Sequence, residues 1–314
     1  MAEDVIHCGD CLDWLPTLAA GAATGCVTDP PYGLRFMGRE WDGAVTVTAE
    51  AAQVTLAEIA RDEDGRGFVI NGAEEWDRAG LWNAGAGDVN GDGLEDVIVG
   101  VPGDFQNDPG PGAAYVVFGR AGGAAVELSD LDAGQQPAGF VINGVDDGDA
   151  TGISVHAAGD VNGDGLADVI VGAFYADGRA GASYVVFGKT DAAAVDLSDV
   201  AGGNGDAGFL IEGVSTGIEG VSTGDLSGFS VSGGGDVNGD GLDDLVIGAF
   251  GADRDGKTDA GEAYVVFGKT DGGAVALSAL DPDSGIVIRG AAEGDWAGYR
   301  SAWPAMSMAT AMTT

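Results

Sequence analysis

Asp88-Val89-Asn90-Gly91-Asp92-Gly93-Leu94-Glu95-Asp96, running on into Val97-Ile98-Val99-Gly100, decides the fold of this chain of 314 residues. Side-chain oxygens stand at the first, third, fifth and ninth positions of the phrase, and Gly93 permits a sharp turn between them. The phrase returns from Asp160 to Asp168 and from Asp236 to Asp244, at steps of 72 and 76 residues. Self-similarity at a fixed period marks a repeat architecture.

Each copy sits in the same surroundings. An apolar phrase precedes it: Gly67-Phe68-Val69-Ile70, Gly139-Phe140-Val141-Ile142 and Gly208-Phe209-Leu210-Ile211. A β-branched run follows, then a second apolar stretch ending in Phe-Gly, at Tyr115 to Gly119, Tyr184 to Gly188 and Tyr264 to Gly268. A Val-x-Leu-Ser linker closes each unit. Short apolar runs bounded by Gly and Asp predict about four strands per unit. One four-stranded sheet has two open faces, and stacking units radially buries them, which is the propeller solution. A linear β-solenoid is the alternative, with repeats usually much shorter than these. The expected fold is therefore all-β, a partial β-propeller of four-stranded blades, with a short non-propeller segment at the N-terminus.

The interval from the Phe of the apolar phrase to the first Asp is 20 residues in the first two copies and 27 in the third. The excess is a tandem duplication, Glu212 to Ile218 followed by Glu219 to Asp225, expected to form a surface loop, where insertions cost little.

The oxygen-rich phrases read as metal loops. Asp88, Asn90, Asp92, the Leu94 carbonyl and Asp96 supply hard oxygen donors, a set suited to calcium and unsuited to zinc or copper. Asp160, Asn162, Asp164, Leu166 and Asp168 repeat it, as do Asp236, Asn238, Asp240, Leu242 and Asp244. An EF-hand would need a Glu at position 12 and flanking helices. That position holds Val99, Val171 and Ile247, inside strand-like runs. The competing reading is an Asx-type turn that binds nothing; three copies of one donor pattern favour calcium. Asp132, outside the loops, is expected to be dispensable.

Composition agrees. There are 58 glycines but only 9 prolines, and 45% of residues are hydrophobic, enough for a core. The net charge of -38 attracts cations and repels phosphate backbones, so no nucleic-acid partner is expected. Cys8, Cys11 and Cys26 are the only cysteines, so no disulfide framework holds the repeats, and Cys8-x-x-Cys11 lacks the second pair of a zinc site. No segment reads as a membrane span and none as a signal peptide. His156 has no triad partner in the sequence, and Trp76, Trp82 and Trp296 read as blade packing.

Residues 54–299 resemble the FG-GAP repeats of the integrin alpha-subunit propeller family. Phe118-Gly119, Phe187-Gly188 and Phe267-Gly268 match the first half of that signature. Its second half is altered to Gly100-Val101-Pro102, Gly172-Ala173-Phe174 and Gly248-Ala249-Phe250. The resemblance implies calcium that stiffens blade edges, no enzymatic activity, and a role in adhesion or binding of a protein or glycan ligand at the cell surface or outside the cell. The units are expected at 54–125, 126–194 and 195–274, with part of a fourth at 275–299.

Residues 1–43 differ from the rest and resemble the opening of a DNA amino-methyltransferase, on Asp29-Pro30-Pro31-Tyr32 and its flanking phrases. In that family Asp29 and the Pro30 carbonyl would bind the target amino group and Tyr32 would stack on the flipped base. No Gly-rich loop for S-adenosylmethionine follows, so the segment is expected to be an incomplete remnant. Residues 300–314 match none of the repeat phrases and are expected to be a frameshifted tail. Read one base out of register, they would yield a fourth loop starting at position 306, again 20 residues after the aligned apolar residue, Ile286.

Overall fold

The computed structural model describes residues 24–28, 44–48, 68–74, 77–103, 110–120, 125–134, 137–203, 205–214 and 224–300. Asp29 to Tyr32, Trp76, most of the duplicated segment and residues 301–314 lie outside them.

The strands in chain order are β1 (Thr24–Thr28), β2 (Ala44–Thr48), β3 (Phe68–Asn71), β4 (Asn83–Gly87), β5 (Asp96–Val101) and β6 (Ala113–Val117). There follow β7 (Val126–Glu127), β8 (Gly139–Asn143), β9 (Ser154–Gly159), β10 (Asp168–Ala173), β11 (Ala182–Val186) and β12 (Val195–Asp196). The last six are β13 (Gly208–Glu212), β14 (Ser230–Gly235), β15 (Asp244–Ala249), β16 (Glu262–Val266), β17 (Val275–Ala276) and β18 (Gly285–Arg289). They make four sheets: β1-β2-β3-β7, β4-β5-β6-β8-β12, β9-β10-β11-β13-β17 and β14-β15-β16-β18. Three of these are blades of one design, four antiparallel strands in sequence order, so the all-β partial propeller is the observed architecture.

The sheets are offset from the sequence units. The phrase Gly139–Asn143, which opens the second unit, pairs as the outer strand of the sheet begun at Asn83, with Tyr115 opposite Val141. The linker of the following unit then adds a short parallel strand outside it, Val195 opposite Ile142. The same stitching places β17 on β13 and β7 on β3. Each blade is thereby closed by residues of the next unit, which ties consecutive blades by backbone hydrogen bonds as well as by packing.

The second strand of each blade, β5, β10 or β15, is buried at all six positions. Val97-Ile98-Val99, Val169-Ile170-Val171 and Leu245-Val246-Ile247 are therefore unbroken apolar runs instead of alternating ones. Phe140 and Phe209, on the outer strands, are fully buried; Phe140 meets Phe118 edge-on and Phe209 lies tilted against Phe187, each with ring centroids 6.0 Å apart. Gly172 is fixed by close approach: a Cβ there would lie 2.0 Å from the Gly228 carbonyl oxygen of the next blade. Gly100 and Gly248 meet the same constraint from Gly152 and Gly298. The glycine of the altered second half of the signature is therefore a packing requirement.

Two expectations on single residues are corrected or refined. Asp132 is not a bystander: it accepts a 2.7 Å hydrogen bond from the Tyr115 hydroxyl across the blade. Trp82 packs against the core, as expected, whereas Trp296 is half-exposed beside Tyr299. His156 is exposed on β9, its Nδ1 3.0 Å from the Ala157 carbonyl oxygen.

Candidate metal centre

Each oxygen-rich phrase is the connection between the first and second strands of a blade. The entrance is a β-bulge. Register slips between Gly85 and Gly87, at the Gly159–Asp168 pair, and between Gly233 and Gly235. Gly87, Gly159 and Gly235 take positive φ there, the conformation that a glycine-led bulge requires. The bulge turns the following Asp into the loop.

The first Asp organises the turn. In the second loop Asp160 Oδ1 accepts from the Gly163 and Asp164 N–H groups at 2.7 and 3.0 Å, and Oδ2 from Gly165 at 2.9 Å. Asn162 Oδ1 accepts from Asp164 N, and Asp164 Oδ1 from Leu166 N. The first and third loops repeat the scheme, with Asp88 receiving Asp92 and Gly93, and Asp236 receiving Gly239, Asp240 and Gly241.

The ninth-position Asp is a different kind of residue. Asp96, Asp168 and Asp244 are buried, at 1%, 0% and 0% exposure. One oxygen accepts from the second residue of the loop, Val89, Val161 or Val237, at 2.8, 2.9 and 2.7 Å. The other accepts from the glycine of the Phe-Gly pair, Gly119, Gly188 or Gly268, at 2.7, 2.8 and 2.9 Å. The Phe-Gly signature and the loop are thus one unit: Phe118 and Phe187 fill the core, and in all three pairs the Gly N–H clasps the loop's last carboxylate. The sequence displays both motifs but not their link, because 23, 20 and 24 residues separate the partners.

No Lys or Arg pairs with these three carboxylates among the described residues. Burial pushes Asp96 up to about 6 and Asp168 up to about 7, and the negative charges of the loop's first and fifth residues push the same way. Asp244 is raised too, burial again being the largest cause. A buried carboxylate flanked by two further carboxylates is a donor set lacking its positive charge, and each clasped oxygen keeps a second lone pair. The residues present therefore fit a hard cation. As they stand, the side chains are satisfied within the loop, Asp164 Oδ2 receiving Asn162 Nδ2 at 2.9 Å, and no three acidic, His or Cys side chains converge on one point among the described residues. Drawing in an ion requires the fifth-position Asp to turn away from the Asn amide.

Known proteins carry the same pattern. The FG-GAP repeat signature matches residues 80–117, 151–186 and 227–266, which span the first three strands of the three blades with their loops. These blades are FG-GAP repeats of the integrin alpha type. Mouse integrin alpha-7 is 32% identical over 164 residues, covering 52% of this chain and 12% of its own length. Integrin alpha pat-2 of Caenorhabditis elegans is 33% identical over 168 residues, again 12% of its own length. Chicken integrin alpha-8 is 26% identical over 260 residues, 77% of this chain and 22% of its own length. The chain thus matches only a small part of these relatives. No helix among the described residues is long and apolar enough to cross a membrane.

Proposed function

We propose that this chain is a calcium-binding FG-GAP module that serves adhesion or ligand binding outside the cell, the ligand being a protein or a glycan. What supports it is the buried ninth-position Asp, present three times in one geometry, clasped by backbone N–H and without a basic partner among the described residues. Asp88, Asn90, Asp92, the Leu94 carbonyl and Asp96 would hold one ion. Asp160, Asn162, Asp164, Leu166 and Asp168 would hold a second, and Asp236, Asn238, Asp240, Leu242 and Asp244 a third. The ion would neutralise each carboxylate cluster and tie the entrance of the second strand to the Phe-Gly turn. The cell-surface setting and ligand class come from the integrin alpha relatives, and the net charge of -38 argues against nucleic acid.

Calorimetric titration of the purified chain should count three calcium ions, and chelation should lower the melting temperature. No binding at millimolar calcium would overturn the metal reading. Immobilised chain should then capture extracellular proteins or glycans in calcium and lose them in chelator; capture insensitive to chelator would separate ligand binding from the loops.

A further inference from the structure

We infer that Asp243 is a positioning residue for the second loop, and that through it the second and third loops take up cations cooperatively. This rests on the calcium reading above.

Consecutive loops touch. Leu166, at the seventh position of the second loop, lies over Gly91 of the first, with its Cδ2 2.9 Å from where a Cβ at Gly91 would stand. Leu242 lies over Gly163 in the same way, at 3.0 Å. The Asp88 carbonyl accepts from Ala167 N at 3.1 Å, and the Asp160 carbonyl from Asp243 N at 3.1 Å. The carbonyl of the next residue, Val89 or Val161, accepts from Lys189 or Lys269, which follows the Phe-Gly pair of the next blade.

At one interface there is more. Asp243 Oδ2 accepts the Asp160 backbone N–H at 2.9 Å, so residues 160 and 243 are joined by a reciprocal pair of hydrogen bonds. Gly159 makes room for that carboxylate: a Cβ there would stand 2.1 Å from Asp243 Oδ2. The equivalent residue at the other interface is Ala167, which has no side-chain acceptor. Asp243 lies between Leu242 and Asp244, two donors of the third loop, while Asp160 is the first donor of the second. Any backbone adjustment that loads the third loop is passed directly to the residue that organises the second. The N–H bound by Asp243 belongs to the residue that follows the entrance bulge, just beyond the last ladder pair of Gly159 with Asp168.

Amide NMR of the full chain separates the loops, with Gly165 reporting the second and Gly241 the third during calcium titration. Asp164→Ala, which disables the second loop, should weaken calcium binding at Gly241 by about fivefold. Asp240→Ala should weaken binding at Gly165 by the same factor, since coupling is reciprocal. Asp243→Ala should remove this dependence, and Asp243→Asn, which keeps an acceptor oxygen, should preserve it. The first and second loops, joined through Ala167, should show a smaller factor. A readout independent of affinity is hydrogen exchange at the Asp160 amide, which should slow when calcium is added to the Asp164→Ala chain. If both loops bind calcium but the Gly241 midpoint is unmoved by Asp164→Ala, or if coupling survives Asp243→Ala, the inference is wrong. Should Asp243→Ala fail to fold, the parent's cross-loop factors and the Asp160 exchange rate decide. If neither reporter responds to calcium at all, the metal reading itself has failed.

Discussion

Asp164→Ala and Asp168→Ala each remove one donor from the same loop, yet the structure makes them different experiments. Asp164 is exposed, and its contacts with Leu166 N and Asn162 Nδ2 are replaceable by water. In chelator its loss should change stability by no more than about 0.5 kcal/mol, the usual range for a surface site. Asp168 is wholly buried, and alanine strands the Val161 and Gly188 N–H groups, at roughly 1–3 kcal/mol each. Against that stands the cost of an uncompensated buried carboxylate, whose pKa is pushed to about 7. A shift of that size corresponds to at most about 4 kcal/mol, so the two terms nearly cancel and the chelated variant should fall within about 2 kcal/mol of the parent.

Calcium restores the contrast between either variant and the parent. At a hundredfold excess over Kd each intact loop adds about 2.7 kcal/mol. For a folded region of this size that is roughly 5–10 °C of melting temperature. Both variants should lose at least one such increment, and the calorimetric count should fall from three ions to two. Asp147→Ala, on an exposed turn, is the control and should lose none. Thermal unfolding in calcium and in chelator, paired with the titration, measures all of this. An Asp164→Ala chain that keeps the parent's calcium-dependent shift and ion count would refute the assignment of the loop.

Gly172→Ala places a Cβ 2.0 Å from the Gly228 carbonyl oxygen, so denaturant unfolding should show a loss of about 3 kcal/mol or more. Gly165→Ala, at φ +88 with open space around it, should cost only about 1–2 kcal/mol, and equal losses would contradict the interblade packing. Arg254 joins two buried carboxylates, Asp225 at 2.9 Å and Glu262 at 3.0 Å, and Arg254→Met should destabilise the third blade by about 3–5 kcal/mol; a loss under 1 kcal/mol would show the cluster to be unimportant. Acidity should act with opposite sign in the two metal states. Because the folded-state values of Asp96 and Asp168 are raised, protonation favours the folded chelated chain, and its stability should rise as pH falls from 8 towards 5. In calcium, protons compete with the ion and stability should fall over that range. A chelated pH profile identical in the parent and Asp168→Asn would contradict the first half.

Much of this protein is legible in its sequence because the deciding interactions are local and repeated. The donor spacing of Asp88 to Asp96, the positive-φ glycines and the β-branched run after each loop are set by neighbours in the chain, and three copies make the pattern plain. The existence of the strands and the recurrence of the loop follow from that alone. Partnership over long separations was not legible. Nothing in the sequence shows that Gly188 N–H clasps Asp168, that Val195 closes the sheet of Ile142, that Asp132 holds the Tyr115 hydroxyl, or that Asp243 reaches back 83 residues to Asp160. Each depends on which blade faces come together. A hydrogen bond of about 2.9 Å is fixed by that packing, because a residue type offers the donor or acceptor and only the assembled blades supply its partner.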